Sequence, residues 1–205
     1  MPEVLLATRN LGKLRELREI AAGSPLHWRG LADFPDVPDA EETEASFAGN
    51  ARLKALHYAA ATGLFTLADD SGLEVDALGG APGVHSARYA GEPSNDQANN
   101  RKLLAALADV PPERRTARFR CAMAFARPGE VLRESQGAVE GRIIAEPRGD
   151  NGFGYDPLFL IPARQRTVAE LPGDEKHALS HRGQALRAML PQIEEVLRAL
   201  GQWPT

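Results

Sequence analysis

The chain has 205 residues, 43% of them hydrophobic and 25% charged, with a formal net charge of −4. Such values describe a globular chain with room for one sizeable core; they argue against a disordered chain and exclude a protein that holds nucleic acid through bulk positive charge. A single cysteine, Cys121, leaves no internal disulfide and fits a reducing compartment. No stretch approaches the ~20 apolar residues of a membrane span, and the apolar run in "MPEVLLATRN" is too short for a signal peptide, so a cytoplasmic location without membrane contact is expected.

In chain order, "EVLLA" reads as a short buried strand. Leu11, Leu14, Leu17 and Ile20 then stand at helical spacing behind Asn10, a candidate N-cap. A second strand is expected near 26–31, before the acidic, proline-broken loop "DFPDVPDAEETE". Ser46 or Thr43 could open a helix from about Phe47 to Thr62, closed by Gly63. "LFTLA" is the next strand, and it leads into Asp69 and Asp70. The glycine-rich stretch "GLEVDALGGAPGVHSARYAGEP" is too irregular for a strand or a long helix.

A helix is expected from about Asn95 to Asp109, stopped by Pro111 and Pro112. Two long strands, 115–126 and 130–145, form a hairpin around "RPGE". "PLFLI" is a further strand, and "TVAE" opens a short helix as a capping box. The last helix carries Leu186, Met189, Leu190, Ile193, Val196, Leu197 and Leu200 on one stripe, with Pro191 kinking it or marking its start. Helices alternating with strands and followed by a hairpin predict an α/β fold: a mixed central sheet flanked by helices, in two lobes with an active-site cleft between them. Residues 1–205 are expected to form a single functional domain.

Four groups of residues suggest chemistry. Asp69 and Asp70 follow a strand, where α/β proteins place ligands; "DDSG" also suits a plain turn. Adjacent carboxylates raise one another's proton affinity unless a cation offsets the repulsion, and a hard divalent ion such as Mg²⁺ takes oxygen ligands. Glu41 and Glu42 offer further acids from the proline-broken loop. The second group is "TRNLGK", where Thr8, Asn10 and Lys13 surround a helix start suited to an anion.

The third is "FGYD", Phe153 to Asp156, with a flat ring for stacking and a carboxylate for hydrogen bonding. The fourth gathers donors in "EKHALSHRG": Lys176, His181 and Arg182. Cys121 alternates with Phe119, Met123 and Phe125 and reads as a core thiol. Lysine is scarce, with Lys13, Lys54, Lys102 and Lys176 the only four among 24 basic residues; a need for a compact point charge is one reading of those kept, and genome composition is the other.

Together these groups supply metal-binding acids, a phosphate cradle, a stacking ring and directional donors, the inventory of a nucleoside triphosphate site. In "LLATRNLGKLREL", "ADDSGLEVDALGGAPGVHSARYAGE", "GFGYDPLF" and "SHRGQALR", the chain resembles the inosine triphosphate pyrophosphatase family over nearly its whole length. The resemblance implies a Mg²⁺-dependent cytoplasmic homodimer that cleaves a purine nucleoside triphosphate (ITP, dITP or XTP) between the α and β phosphates. It assigns Thr8, Arg9, Asn10, Leu11, Gly12 and Lys13 to the triphosphate. Asp70 becomes the proton acceptor and a metal ligand beside Glu42, with Asp69 as its catalytic neighbour.

Ser71 touches substrate under the same resemblance, and Phe153, Gly154, Tyr155, Asp156, Lys176, His181 and Arg182 surround the nucleotide. Donors from the last three would favour a six-oxo purine over adenine. Gly49 stands where relatives commonly carry Glu, so a supporting carboxylate is expected to be missing. The residues alone also accommodate a hydrolase of modified pyrimidine triphosphates, one that releases the γ-phosphate, or a nucleotide-binding module without turnover.

Overall fold

The computed structural model describes residues 2–203. Seven strands form one sheet in the order β2-β1-β3-β4-β5-β6-β7. They are β1 (Glu3–Leu6), β2 (His27–Gly30), β3 (Phe65–Val75), β4 (Thr116–Arg127), β5 (Glu130–Ile143), β6 (Phe159–Ile161) and β7 (Arg166–Thr167). β1 runs parallel to β2 and β3, whereas β6 runs antiparallel to β5 and β7, so the sheet is mixed as expected. Five α-helices accompany it: α1 (Leu11–Ile20), α2 (Phe47–Thr62), α3 (Asp96–Ala106), α4 (Gly173–Leu179) and α5 (His181–Ala199). None of the described helices is long and apolar enough to cross a membrane.

The chain divides into two compact units that interleave in sequence. The first takes the stretch up to Asp70, Cys121–Gly137 and the stretch from Arg182 onward. The second takes Ser71–Arg120 and Ala138–His181. In the first unit, Val4, Leu6 and Leu67 from the parallel strands pack with Cys121, Met123 and Phe125 of β4 and with Leu17 of α1. Leu186, Met189, Ile193 and Leu197 of α5 complete that core. The second unit has its own core, in which Leu73, Val75, Leu103, Leu107 and Phe119 meet Ile143, Leu158 and Phe159.

Helix ends arise from local chemistry. Asn10 accepts the Lys13 N–H, Ser46 rather than Thr43 accepts the Gly49 N–H, and Gly63 closes α2 in the left-handed region at φ +74°. Asn95 caps α3, and Thr167 with Glu170 forms the capping box of the turn over Val168–Glu170, which is 3₁₀ rather than α. β4 and β5 are neighbours joined through Pro128 and Gly129, a connection short enough only for an antiparallel pair.

Three expectations are corrected. β3 does not stop before the acidic pair: its 11 residues run through Asp69 and Asp70 to Val75, so "DDSG" is strand and not turn. Alternate burial of Leu73 and Val75 in the second core holds "GLEV" extended, and only the stretch beyond Val75 is irregular. The first part of "PLFLI" is a 3₁₀ turn over Asp156–Leu158, and the strand begins at Phe159. Finally, α5 begins at His181 and continues through Pro191, which is therefore not its start. Leu200 lies past the helix end and is exposed.

Cys121 is buried, and loss of hydration pushes its thiol up to about 12. The thiol is therefore protonated and shielded at pH 8. DTNB is expected to leave it unmodified in the native protein and to titrate one thiol after denaturation; rapid native-state reaction would contradict the packing.

Candidate functional site

The parallel strands build the acidic cluster of the first unit. β1 ends at Leu6, opposite Leu67, and β3 continues past it. Asp69 and Asp70 thus lie mid-strand in β3 but just beyond the carboxyl end of β1, beside the chain that turns into α1. Successive strand side chains point to opposite faces. Asp69 shares the face of Phe65 and Leu67, towards α1 and α5, and Asp70 faces α2.

Each acid meets its own partners. Asp69 lies 3.1 Å from Lys13 Nζ and 3.6 Å from the Arg182 guanidinium. Arg182 is also paired with Glu16, and both are buried. Burial opposes ionisation of Asp69, but Lys13, Arg182 and Lys54 outweigh it and hold the carboxyl well below the usual range. Burial likewise opposes the charge on Arg182, and Glu16 and Asp69 more than restore it.

Asp70 accepts from Lys54 Nζ at 3.2 Å and from Asn50 Nδ2 at 3.2 Å. Here burial prevails: the carboxyl lies above its ordinary value despite Lys54 and Lys13, with Glu42 and Asp69 adding to the rise. Lys54 stays an ammonium, because Asp70, Asp69 and Glu42 offset its own burial.

Lys54 also donates to Glu42 Oε1 at 2.8 Å, so two carboxylates converge on one positive point. Of the adjacent glutamates it is Glu42 that reaches the cluster. Two oxygen donors facing a single cation position fit a hard divalent ion that keeps waters and phosphate oxygens as its other ligands. Among the described residues no group of three or more His, Cys, Asp or Glu could enclose a metal. Asp70 and Glu42, which share the Lys54 ammonium, are the two acids that bring oxygens to one position.

The arm bearing Glu42 is fastened to α2. Asn50 Oδ1 accepts the Glu44 N–H at 2.9 Å while its amide donates to Asp70, and His57 Nε2 lies 2.8 Å from Pro38 O. Glu44 lies across Gly49, where an added Cβ would sit 2.7 Å from Glu44 Cβ and 3.1 Å from its Oε2. The missing side chain at position 49 thus makes room for another carboxylate, from Glu44.

The "TRNLGK" segment forms the expected helix start. Thr8 Oγ1 accepts the Asn10 N–H at 3.2 Å, and Gly12 lies within the first turn of α1. Leu11 is exposed. Arg9 pairs with Asp39 and donates to the Val37 carbonyl.

In the second unit, Lys176 Nζ meets Asp156 Oδ2 at 2.7 Å and lies 5.3 Å from the centre of the Phe153 ring. Asp156 also accepts the Phe153 N–H at 3.0 Å. His181 stacks on Phe119 at 5.0 Å, and an apolar hollow beside it is lined by Phe119, Val139, Ile161, Leu171 and Leu179. Tyr155 is a buried anchor, its hydroxyl donating to Ser86 O at 2.8 Å. Ser71 opens this unit on β3. Arg182, expected beside Lys176 and His181, is paired in its buried position with Glu16 and Asp69 of the first unit.

Sequence reasoning missed Glu16, Asn50, Lys54 and Gly152 as site residues. Asn50 and Lys54 stand four apart on α2, on the buried stripe of Ala51, Ala55 and Ala59, and the scarcity of lysine was the available signal. Gly152 has φ +83°, and a Cβ there would lie 2.1 Å from Asp156 Oδ2 and 2.8 Å from Lys176 Nζ.

The chain has clear relatives among known proteins. The Ham1 family model matches residues 4–192. The dITP/XTP pyrophosphatase of Geobacillus kaustophilus is 49% identical over 98% of this chain and 99% of its own. The dITP/XTP pyrophosphatase of Geobacter sulfurreducens is 53% identical over 91% of this chain and 94% of its own. The solved HAM1 protein from Coxiella burnetii superposes with a TM-score of 0.85 at 45% identity, covering 95% of this chain and all of that one.

Gly152 and Gly154 offer a contrast. Gly152→Ala, strained and clashing, should lower stability by about 2 kcal/mol or more, whereas Gly154→Ala, at φ +62° but in open space, should lose only about 1 kcal/mol. Denaturant unfolding of the two variants checks this; equal losses would contradict the packing around the Asp156–Lys176 pair.

Proposed function

The chain belongs to the Ham1 family, and we propose that it hydrolyses non-standard purine nucleoside triphosphates, dITP, ITP and XTP, to the monophosphate and pyrophosphate. One observation carries the reading: neighbouring buried acids hold different partners, so one is locked as an anion and the other is suited to accept a proton. The names of the relatives support the substrate class.

Asp69 organises cations. Its carboxylate holds Lys13 at the start of α1 and shares Arg182 with Glu16, which keeps positive charge beside the helix end where phosphate would lie. A base so strongly stabilised as an anion takes protons poorly. Asp70, held by Asn50 and Lys54 and raised by burial, is the better acceptor for the proton of a water attacking the α-phosphorus.

Asp70 and Glu42 would hold Mg²⁺, which when bound neutralises charge on the phosphate oxygens. Lys54 and Lys13 supply fixed positive charge for the departing pyrophosphate. Thr8, Asn10, Leu11 and Gly12 line the helix start assigned to the phosphates. Arg9 would have to leave Asp39 to join them.

Phe153 to Asp156, with Lys176 and His181, would take the base. Phe153 offers the stacking face, and Lys176 and His181 offer donors to a six-oxo group that adenine lacks. A site built on such bonds rejects the analogue without them by roughly 10⁴. Ser71 remains a proposed substrate contact. Family likeness extends the proposal to a cytoplasmic homodimer, with residues 1–205 as one functional domain.

Pyrophosphate release from ITP, XTP, ATP and GTP, with and without Mg²⁺, tests the reading. It expects efficient Mg²⁺-dependent release from ITP and XTP and little from ATP; orthophosphate as the product, or equal efficiency on ATP, would refute it. Asp70→Asn should lose about two decades of kcat while retaining substrate binding. Near-normal turnover in that variant would remove Asp70 as the base.

A further inference from the structure

The second unit contains an attachment outside the residues assigned above to phosphate and metal. Gly154 separates Phe153 from Tyr155 and Asp156, with φ +62° and open space on its side-chain side. Glycine is the residue least able to hold its neighbours in a fixed relation. Both polar ends of Gly154 are nevertheless tied to α3. Its N–H donates to Asp96 Oδ2 at 2.8 Å, and its carbonyl accepts from Asn100 Nδ2 at 3.0 Å. Residues 96 and 100 stand four apart, so one face of α3 presents an acceptor and a donor to a single residue.

α3 is itself a firm support. Asn95 caps it, Leu103 is buried, and Asn99 grips the preceding loop by donating to Ala87 O at 3.0 Å and accepting the Ala90 N–H at 2.7 Å. Tyr155, the next residue along, is anchored separately on Ser86 O. Beside the bond of its own N–H to Asp156, the Phe153 side of the loop is referred to α3 through Gly154.

We propose that Asp96 and Asn100 are positioning residues for the base of the substrate, acting through Gly154 to set the Phe153 ring against Asp156 and Lys176. This rests on the reading that Phe153 to Asp156 take the base. Ordering the loop before the nucleotide arrives removes an entropic loss from binding and leaves the phosphate chemistry alone. The consequence belongs in affinity rather than in turnover. It also belongs only to ligands that carry a base.

Asp96→Ala, Asp96→Asn and Asn100→Asp test it, with Phe153→Ala as the control. Asparagine at 96 keeps an acceptor for the Gly154 N–H, whereas aspartate at 100 keeps the shape and loses the donor. Asp96→Ala and Asn100→Asp should each raise KM for ITP and weaken inhibition by IMP by about fivefold or more, the order of one hydrogen bond's net contribution. kcat should stay within about twofold, inhibition by pyrophosphate should not change, and Asp96→Asn should resemble wild type.

A fall in kcat at unchanged KM, or equal weakening of IMP and pyrophosphate, would overturn the proposal. So would unaltered KM in both loss-of-bond variants while Phe153→Ala raises it; that outcome leaves the base-site reading standing. If Phe153→Ala also leaves KM unchanged, the reading itself fails and the proposal with it. The Asp96 side chain is on the surface, so Asp96→Ala decides the question if Asn100→Asp does not fold.

Discussion

Two neighbouring carboxylates in the middle of a buried strand would ordinarily be intolerable. Side by side in water they repel; taken out of water, each charge loses hydration worth several kcal/mol. β3 solves the problem through the pleat, which sends Asp69 to the face of α1 and α5 and Asp70 to the face of α2. Each acid is then compensated by a separate set of side chains. Much of the architecture of the first unit can be understood as the scaffolding of that separation, with Lys13 and Glu16 on α1, Arg182 at the start of α5, and Asn50 and Lys54 on α2.

The separation also divides the labour. On one face the charges are nearly settled: Glu16 with Arg182, and Lys13 with Asp69, form a network whose members hold one another in place. Removing one member of a buried pair strands the other, which makes such a network rigid and a good abutment for a polyanion. On the other face the balance is looser. Lys54 answers to both Asp70 and Glu42, and burial leaves Asp70 with an affinity for protons that its neighbour lacks. A strand that holds one acid fixed and leaves the other responsive can bind and react at adjacent positions.

Much of this was legible in the sequence. Asn10, Ser46, Gly63, Asn95 and the Thr167–Glu170 box marked helix and turn boundaries because capping is local chemistry. The stripe through Leu186, Met189, Ile193 and Leu197 identified α5 despite Pro191. What escaped was long-range. "DDSG" has the composition of a turn, and pairing within the sheet together with burial of Leu67, Leu73 and Val75 keeps β3 extended.

Lys54 and Asn50 escaped because polar residues on a buried helix stripe look like interruptions until the strand beneath them is known. Arg182 was read with its neighbour His181, yet the register of α5 turns it to Glu16, 166 residues away in the chain. The four lysines were the best clue: Lys13, Lys54 and Lys176 each sit against a buried acid. The most direct test of the division between the two faces is to monitor the side-chain carbons of Asp69 and Asp70 by NMR in carboxyl-labelled protein as pH is lowered. Asp70 should take up its proton first, above the ordinary aspartate range, while Asp69 remains ionised to the acid limit of the fold; protonation in the reverse order, or together near the ordinary value, would contradict that division.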